Sequence, residues 1–319
     1  MVKLLGTLGP AKINLFLRVT GRRADGYHEL DSIFVPVSLC DRVGLGLRPS
    51  STTSVLLRCD WPGLGPDERN LAVRAARAFM AEFGLRAEVM IDLRKAIPAG
   101  AGLGGGSSDA GAVLRLMVEL CGVGDRAVSE RERLGAIAVR LGADVPFFLT
   151  PVPARVRGIG ERIEPLAAFA PLALVIAVPP ITVATAEIFK RLSPADWSGP
   201  APDEAVRALG AGRVSPGLLV NDLASVAMSQ WPVIAQLKLL LEECGAAGAA
   251  MSGSGGAVFG IFATQGAAAL AADEVRRRYP AARVVTATTL NAGGAEGEAS
   301  GQPALEGRSP KGVRELRPR

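Results

Sequence analysis

Residues Pro98-Ala99-Gly100-Ala101-Gly102-Leu103-Gly104-Gly105-Gly106-Ser107-Ser108-Asp109-Ala110 decide how this chain is read. Five glycines in seven positions leave the backbone nearly bare and free to take positive φ. Behind them Ala110, Val113, Leu114, Met117 and Cys121 recur at helical spacing, and Ser107, Ser108 and Asp109 are residue types that start helices. A bare loop feeding a helix N-terminus aims unpaired N–H groups and the positive end of a dipole at one point, which is a phosphate site. It is neither a Walker A, since no Lys-Ser/Thr follows, nor the G-x-G-x-x-G of a dinucleotide-binding βαβ unit. A flexible linker is the poorer alternative, because a strand-like run (Val89 to Leu93) precedes the loop and an apolar helix follows it.

A chain of 319 residues, 49% of them apolar, suits two domains with sizeable cores. The net charge of +5 fits a protein that handles anionic small molecules. Basic residues are scattered and aromatics are sparse, so a nucleic-acid surface is not expected. Cys40, Cys59, Cys121 and Cys244 lie far apart with one histidine in the chain, which excludes the usual zinc motifs and fits reduced thiols in a cytoplasmic protein. No signal-peptide pattern opens the chain. Its most apolar stretch, Leu166 to Val178, is broken by Pro171 and too short to span a bilayer, so no membrane partner is expected.

Period-two alternation from Ala11 to Val19 predicts a strand with Ile13, Leu15, Leu17 and Val19 on one face and Lys12, Asn14, Phe16 and Arg18 on the other. Asp25-Gly26 marks a turn. Further strands are expected at 32–37, 43–47, 54–59, 88–93, 172–178, 257–262 and 283–287. Helices are expected at 70–83, 129–142 (with Ser129 and Glu132 as a capping box), 184–192, 219–228, 232–244 and 266–278. Strands and helices mixed without strict alternation predict an α+β fold.

Phosphoryl transfer needs a held triphosphate, a cation and a base. Asp144 is the candidate base, following a predicted helix end whose dipole disfavours a carboxylate and preceding the apolar run Val145 to Leu149. The alternative is a solvated loop aspartate. Lys12 is the natural cation and shares a strand face with Asn14, roughly 7 Å away; it otherwise reads as a solvated strand-end lysine. His28 is more often a structural group than a catalyst. Ser252-Gly253-Ser254-Gly255 is a second bare loop, suited to phosphate or to a tight turn.

Around the glycine loop stand, in order, Pro10-Ala11-Lys12-Ile13-Asn14-Leu15, Gly26-Tyr27-His28-Glu29-Leu30, Gly142-Ala143-Asp144-Val145-Pro146-Phe147-Phe148 and Met251-Ser252-Gly253-Ser254-Gly255. The set resembles the GHMP kinase superfamily (galactokinase, homoserine kinase, mevalonate kinase, phosphomevalonate kinase). Within it, the set resembles the diphosphocytidyl-methylerythritol kinase family of the non-mevalonate isoprenoid pathway. The glycine loop carries the superfamily, and the Gly-Tyr-His and Gly-Ala-Asp-Val-Pro strings carry the family. The likeness spans Gly9 to Leu290.

The resemblance implies a two-domain α+β GHMP kinase fold. A nucleotide-binding domain would occupy 1–157 and a ferredoxin-like substrate domain 158–290; from Asn291 onward Gly, Pro, Glu, Arg and Ser dominate, and that composition predicts a disordered tail at 291–319. The resemblance also implies ATP with Mg²⁺, and the 2-hydroxyl of a cytidine diphosphate conjugate of methylerythritol as acceptor. Asp144 becomes the base and Lys12 its partner. Asn70, Lys95, Pro98, Gly100, Gly102, Leu103, Gly104, Gly105, Gly106, Ser107 and Ser108 would bind ATP, Ser108 also ligating the metal. Asn14, Tyr27, His28, Asp144, Thr185 and Phe189 would bind the substrate, with Tyr27 and Phe189 on the two sides of the cytosine. The loop Ser252, Gly253, Ser254 and Gly255 would close over the site. The expected assembly is a monomer or weak homodimer. A superfamily kinase acting on homoserine or mevalonate, or a non-catalytic RNA-binding protein, are the alternatives. The chain departs from the family pattern at Val152 to Arg157, where small residues are usual.

Overall fold

The computed structural model describes residues 3–61, 65, 69–124, 127–166 and 169–291. Two long antiparallel strands, β1 (Lys3–Arg22) and β2 (His28–Pro49), pair along almost their whole length about the Asp25-Gly26 turn. The shorter pieces expected from alternation are joined because bulges absorb the irregular residues. One register shift lies between Pro10 and Ala11 and another between Asn14 and Leu17. The second shift also corrects the facing of this strand. Phe16 is buried, and so are Lys12 and Asn14, because both faces of this stretch are covered.

The far edge of β2 takes two partners. β4 (Ala87–Arg94) pairs antiparallel with Arg42 to Pro49, and β3 (Ser54–Cys59) pairs with β4 in parallel on its outer side. β5 (Ala154–Gly158) pairs with Leu30 to Phe34, and β6 (Arg162–Pro165) closes on β5. The unusual segment 152–157 is therefore mostly strand, with Ala154 and Val156 buried and Arg155 and Arg157 half-buried. This sheet runs through the expected junction at 157–158 and ends at Pro165.

Three helices, α1 (Leu71–Glu82), α2 (Gly105–Cys121) and α3 (Val128–Leu141), pack apolar faces on Val43, Leu45, Leu47 and β4. Asn70 caps α1, its side chain accepting from the Ala72 N–H at 3.0 Å. α2 starts earlier than expected, with Gly104 as N-cap at φ 73°, so Ser107, Ser108 and Asp109 lie inside the helix. α3 also starts early, at Val128 with Ala127 as N-cap. Ser129 is then inside the helix and forms no capping box with Glu132, and Glu130 instead accepts from the Gly124 N–H.

The second half contributes β7 (Ala173–Val178), α4 (Thr185–Arg191), α5 (Asp203–Gly210), α6 (Ala224–Gln230) and α7 (Pro232–Glu243). It closes with β8 (Gly248–Met251), β9 (Val258–Phe262), α8 (Gln265–Arg278) and β10 (Arg283–Thr288). The strands form an antiparallel sheet in the order β10-β7-β9-β8. Alternation sets its two faces. Leu174, Ile176, Phe259 and Ile261 meet Ile13, Leu15, Ile33 and Val35 of the first sheet, while Val175, Ala177 and Val258 meet α7 and α8. The helix expected at 219–228 begins only at Ala224, because Asn221 bridges to Leu17 of β1. β5, β6, α5 and β8 are not predicted by the sequence. The four cysteines are free. Among the described residues no helix is long and apolar enough to cross a membrane. Asn291 donates to the Phe169 carbonyl at 3.0 Å, and the rest of the expected tail lies outside the described residues.

α2 also fixes the segment after α3. Added Cβ atoms at Gly111 and Gly104 would come 2.5 Å from Phe148 Cβ and 2.9 Å from its ring. Arg115 of α2 donates to the carbonyls of Phe148 and, at 2.8 Å, Leu8. Burial lowers the Arg115 pKa to about 10, so it stays charged at neutral pH. Gly111→Ala should therefore cost about 1–3 kcal/mol in urea denaturation, as overpacking does. Gly135→Ala in α3, where nothing lies within 4 Å, should be neutral or stabilising. Equal effects at the two positions would show that this close approach is not what limits residue 111.

Candidate active site

The glycine loop takes its shape from three left-handed residues, Gly100, Gly102 and Gly104, at φ 69°, 80° and 73°. Two of the glycines serve a close approach as well. A Cβ at Gly102 would lie 2.2 Å from the Ser252 carbonyl oxygen, and one at Gly253 (φ 60°) would lie 2.8 Å from that of Gly102. The two bare loops thus pack backbone against backbone, tied by Ala257 N–H to Ala101 O (2.9 Å) and Ser252 Oγ to Gly102 O (3.1 Å). Lys12 N–H donates to Leu103 O at 2.9 Å and joins β1 to the same loop.

Asn14 is the buried hub of this junction. Its Oδ1 accepts from Lys12 Nζ (2.7 Å) and the Gly253 N–H (2.9 Å), and more distantly from the Ser252 hydroxyl (3.5 Å). Its Nδ2 donates to Ser32 Oγ on β2 (2.9 Å). Lys12 Nζ in turn stands 3.6 Å from Asp144 Oδ2 and 4.6 Å from the centre of the Phe34 ring. The lysine side chain is only 4% exposed, which removes the solvated-lysine reading. The Asp144 carboxylate, 31% exposed, faces the open side.

A cavity of about 980 Å³ opens over this junction. Lys12, Asn14 and Asp144 line its middle, and the glycine loop with Asn70, Lys95 and Ser107 lines one end. Tyr27, His28, Thr185 and Phe189 line the other. At that other end Tyr27 is 60% exposed. Phe189 stacks on His28 (centroids 5.3 Å, planes 28° apart), so its ring partner in this structure is the imidazole. Trp197 stands nearly perpendicular to the imidazole at 6.0 Å. Burial, and secondarily the charge of Arg22, lower the His28 pKa below its usual 6.5, so the ring is neutral at pH 7. Neutral imidazole offers one donor and one acceptor.

The model for the GHMP kinase N-terminal domain matches residues 70–151, and that for the GHMP kinase C-terminal domain matches 204–281. A curated protein of Anaeromyxobacter dehalogenans, named 4-diphosphocytidyl-2-C-methyl-D-erythritol kinase, is 45% identical over 282 residues, 86% of each chain. One of the same name from Geobacter metallireducens is 42% identical over 86% of this chain and 95% of its own. The chain belongs to the GHMP kinases, in the family of 4-diphosphocytidyl-2-C-methyl-D-erythritol kinases. A crystal structure of a 4-(cytidine 5'-diphospho)-2C-methyl-D-erythritol kinase superposes with TM-score 0.75 at 38% identity, over 89% of this chain and 99% of that one. A homoserine kinase from Cytophaga hutchinsonii shares the fold (TM-score 0.67, 20% identity) over 90% of this chain and 95% of its own.

Not every expected residue of this GHMP kinase faces the cavity. Ser108 is fully buried, and its Oγ, without a hydrogen-bond partner among the described residues, lies against Gly9 of β1. Helical geometry turns it inward while Ser107 looks out. As a metal ligand Ser108 does not fit. Ser252 and Gly255 are likewise packed inside the loop junction, leaving Gly253 and Ser254 at the surface of the cavity, with Ser254 Oγ 2.6 Å from Thr185 Oγ1.

Sequence reasoning missed a buried trio beneath the glycine loop. Lys95 Nζ is held by Asp41 and, at 2.6 Å, by Asp109, all three side chains being at most 4% exposed. Asp41 Oδ1 also accepts from the N–H groups of Ala96 (2.6 Å) and Ile97 (2.8 Å), which fixes the strand-to-loop transition. Burial lowers the Lys95 pKa, but the two carboxylates outweigh it and the net shift is upward. Burial dominates at Asp109, raising its pKa to about 8 against the pull of Lys95. Two carboxylates and one ammonium thus keep a proton near neutrality.

The sign follows from linkage. Asp109 unfolds from a pKa of about 8 to one near 3.8, so between these values the folded chain binds more protons and loses stability as pH rises. Asp109→Asn, which keeps the neutral form's shape, should flatten the fall in melting temperature between pH 5 and pH 8. A wild-type profile as flat as the variant's would show that Asp109 does not hold the proton.

Proposed function

We propose that this chain transfers the γ-phosphoryl group of ATP to the 2-hydroxyl of 4-diphosphocytidyl-2-C-methyl-D-erythritol. The observation that carries this reading is the Lys12–Asp144 pair at the meeting point of the two glycine-containing loops, in one cavity between a phosphate-binding end and an aromatic end. The likeness to curated kinases of that name over most of the chain supports the same substrate.

The chain's own groups divide the work as follows. Glycine-loop N–H groups and the N-terminus of α2 take the ATP phosphates. Asp144 accepts the proton of the attacking hydroxyl. Lys12, fixed by Asn14, offsets charge on the oxygen. At the aromatic end, Tyr27 and Phe189 offer ring faces, and the neutral His28 offers polar contacts to the base edge. Among the described residues no group of three or more His, Cys, Asp or Glu side chains is placed to hold a metal. With Asp109 committed to Lys95 and Ser108 turned inward, Mg²⁺ enters this reading as the companion of the ATP phosphates, neutralising their charge.

Release of ADP should be fast with the diphosphocytidyl substrate and slow with homoserine or mevalonate. The reverse order would reassign the chain within the superfamily. Asp144→Asn and Lys12→Ala should each lower kcat at least about 10²-fold in a folded protein, the scale of acid–base and electrostatic groups. Near-normal kcat in Asp144→Asn would remove it from the role of base. Gly104→Val should abolish ATP binding in calorimetry, since a β-branched residue resists φ 73° and would strike Phe148.

A further inference from the structure

The segment from Trp197 to Asp203 forms a strap beside the aromatic end of the cavity, and two buried carboxylates outside the catalytic group hold it. Asp222 accepts from the backbone N–H of Ser198 (2.8 Å), from its hydroxyl (2.5 Å) and from the Val19 N–H of β1 (2.7 Å). Asp31 accepts from the Ala201 N–H (2.8 Å). Arg155 grips Asp31 with two bonds of 2.9 and 2.7 Å, reaches the Ala201 carbonyl at 3.0 Å and pairs with Asp203 at 2.7 Å. Asp31 and Asp222 are 1% and 7% exposed. A solvent-facing connection does not require such anchoring.

The anchored strap carries one large side chain toward the cavity wall. Trp197 is set at 84° to the imidazole of His28, whose face is covered by Phe189. The indole N–H is buried and has no hydrogen-bond partner among the described residues, so this side chain is not held there by polar bonding of its own. It packs against the apolar cluster that includes Leu17, Val19 and Ile188, and its ring stands edge-on to the single histidine of the chain.

Orientation matters for that ring. Rotating a neutral imidazole by half a turn puts a C–H where each ring nitrogen stood, so the nitrogen that meets the base edge is lost. Cytosine and uracil differ at that edge: the exocyclic amine and bare ring nitrogen of one are replaced by a carbonyl and an N–H in the other. A ring free to turn would meet either base through carbon part of the time, whereas a ring held with its nitrogen on the base edge pairs with the right base and leaves a mismatched polar group against the wrong one.

We propose that Trp197 is a specificity-determining positioning residue, holding the imidazole of His28 from the anchored strap so that its edge matches the cytosine of the diphosphocytidyl substrate. The inference rests on the assignment of this end of the cavity to the base.

The test uses the full chain and Trp197→Leu, with Trp197→Phe as the conservative variant and Arg155→Met to loosen the strap without touching the indole. Because His28 is the only histidine, its Hε1 proton gives one assignable NMR signal without substrate. That signal should move in Trp197→Leu. In assays, the KM for the diphosphocytidyl substrate should rise about three- to tenfold, the scale of one aromatic pair, with kcat and the KM for ATP within twofold. Preference over the diphosphouridyl analogue should fall by a similar factor. Trp197→Phe should restore most of the loss, and Arg155→Met should move the same quantities less. In a His28→Gln background, Trp197→Leu should add nothing. If Trp197→Leu does not fold, Trp197→Phe and Arg155→Met carry the same readouts, smaller in size. An unmoved Hε1 signal, a parallel rise in the KM for ATP, or an equal effect without His28 would overturn the positioning role and leave the kinase reading intact. A wild-type enzyme that does not phosphorylate the diphosphocytidyl substrate would instead overturn that reading, and this inference with it.

Discussion

One buried amide sets the geometry on which the site depends. Asn14 is only 1% exposed, so its oxygen and nitrogen must find partners inside the protein or cost roughly 1–3 kcal/mol each. Its partners come from separate parts of the chain: Lys12 beside it, Ser32 on β2 and Gly253 on the loop between β8 and β9. Satisfying all of them brings the first sheet, the second sheet and the lysine into one register. The Lys12–Asp144 distance of 3.6 Å is a consequence of that register, with α2 holding the aspartate's segment from the other side through Arg115 and Phe148.

Around this hub the protein uses charge burial to stiffen what must not move. Lys95 between Asp41 and Asp109 locks the strand that leads into the glycine loop to the helix that leaves it. Buried ion pairs contribute little net stability against hydrophobic replacements, since desolvation offsets their attraction. Their value here is positional: each hydrogen bond fixes an angle that apolar packing leaves loose. The Arg155–Asp31 pair does the same for the strap near His28, 13% and 1% exposed. The glycine-loop end and the aromatic end of one cavity are thus each backed by buried carboxylates.

The bare loops show why glycine is needed twice over. Gly102 and Gly253 combine positive φ with approach to another backbone closer than any Cβ allows. Loop meets loop backbone to backbone, and the Gly253 N–H is taken by Asn14. Without that contact, the 252–255 segment would be only a turn.

The sequence by itself determined the local features. Glycine spacing gave the loop and the helix behind it, though not its first turn, helical periodicity gave α1, α3, α7 and α8, and the motif strings gave the family and the Lys12, Asn14 and Asp144 cluster. These are properties of short segments, whose backbone preferences and apolar faces do not need the rest of the chain. Tertiary structure decided what depends on distant residues. β8 is Gly-Ala-Ala-Met and becomes a strand only because β9 pairs with it, and β5 pairs with β2 across more than a hundred residues. Phe16 and Ser108 changed sides because a bulge and a helical turn, not residue type, set their direction. Asp41, Asp109, Asp31 and Asp222 carry no local signature of their roles. A carboxylate reads as solvated surface until the fold buries it beside the particular cation or N–H that satisfies it, and only the folded chain supplies those partners.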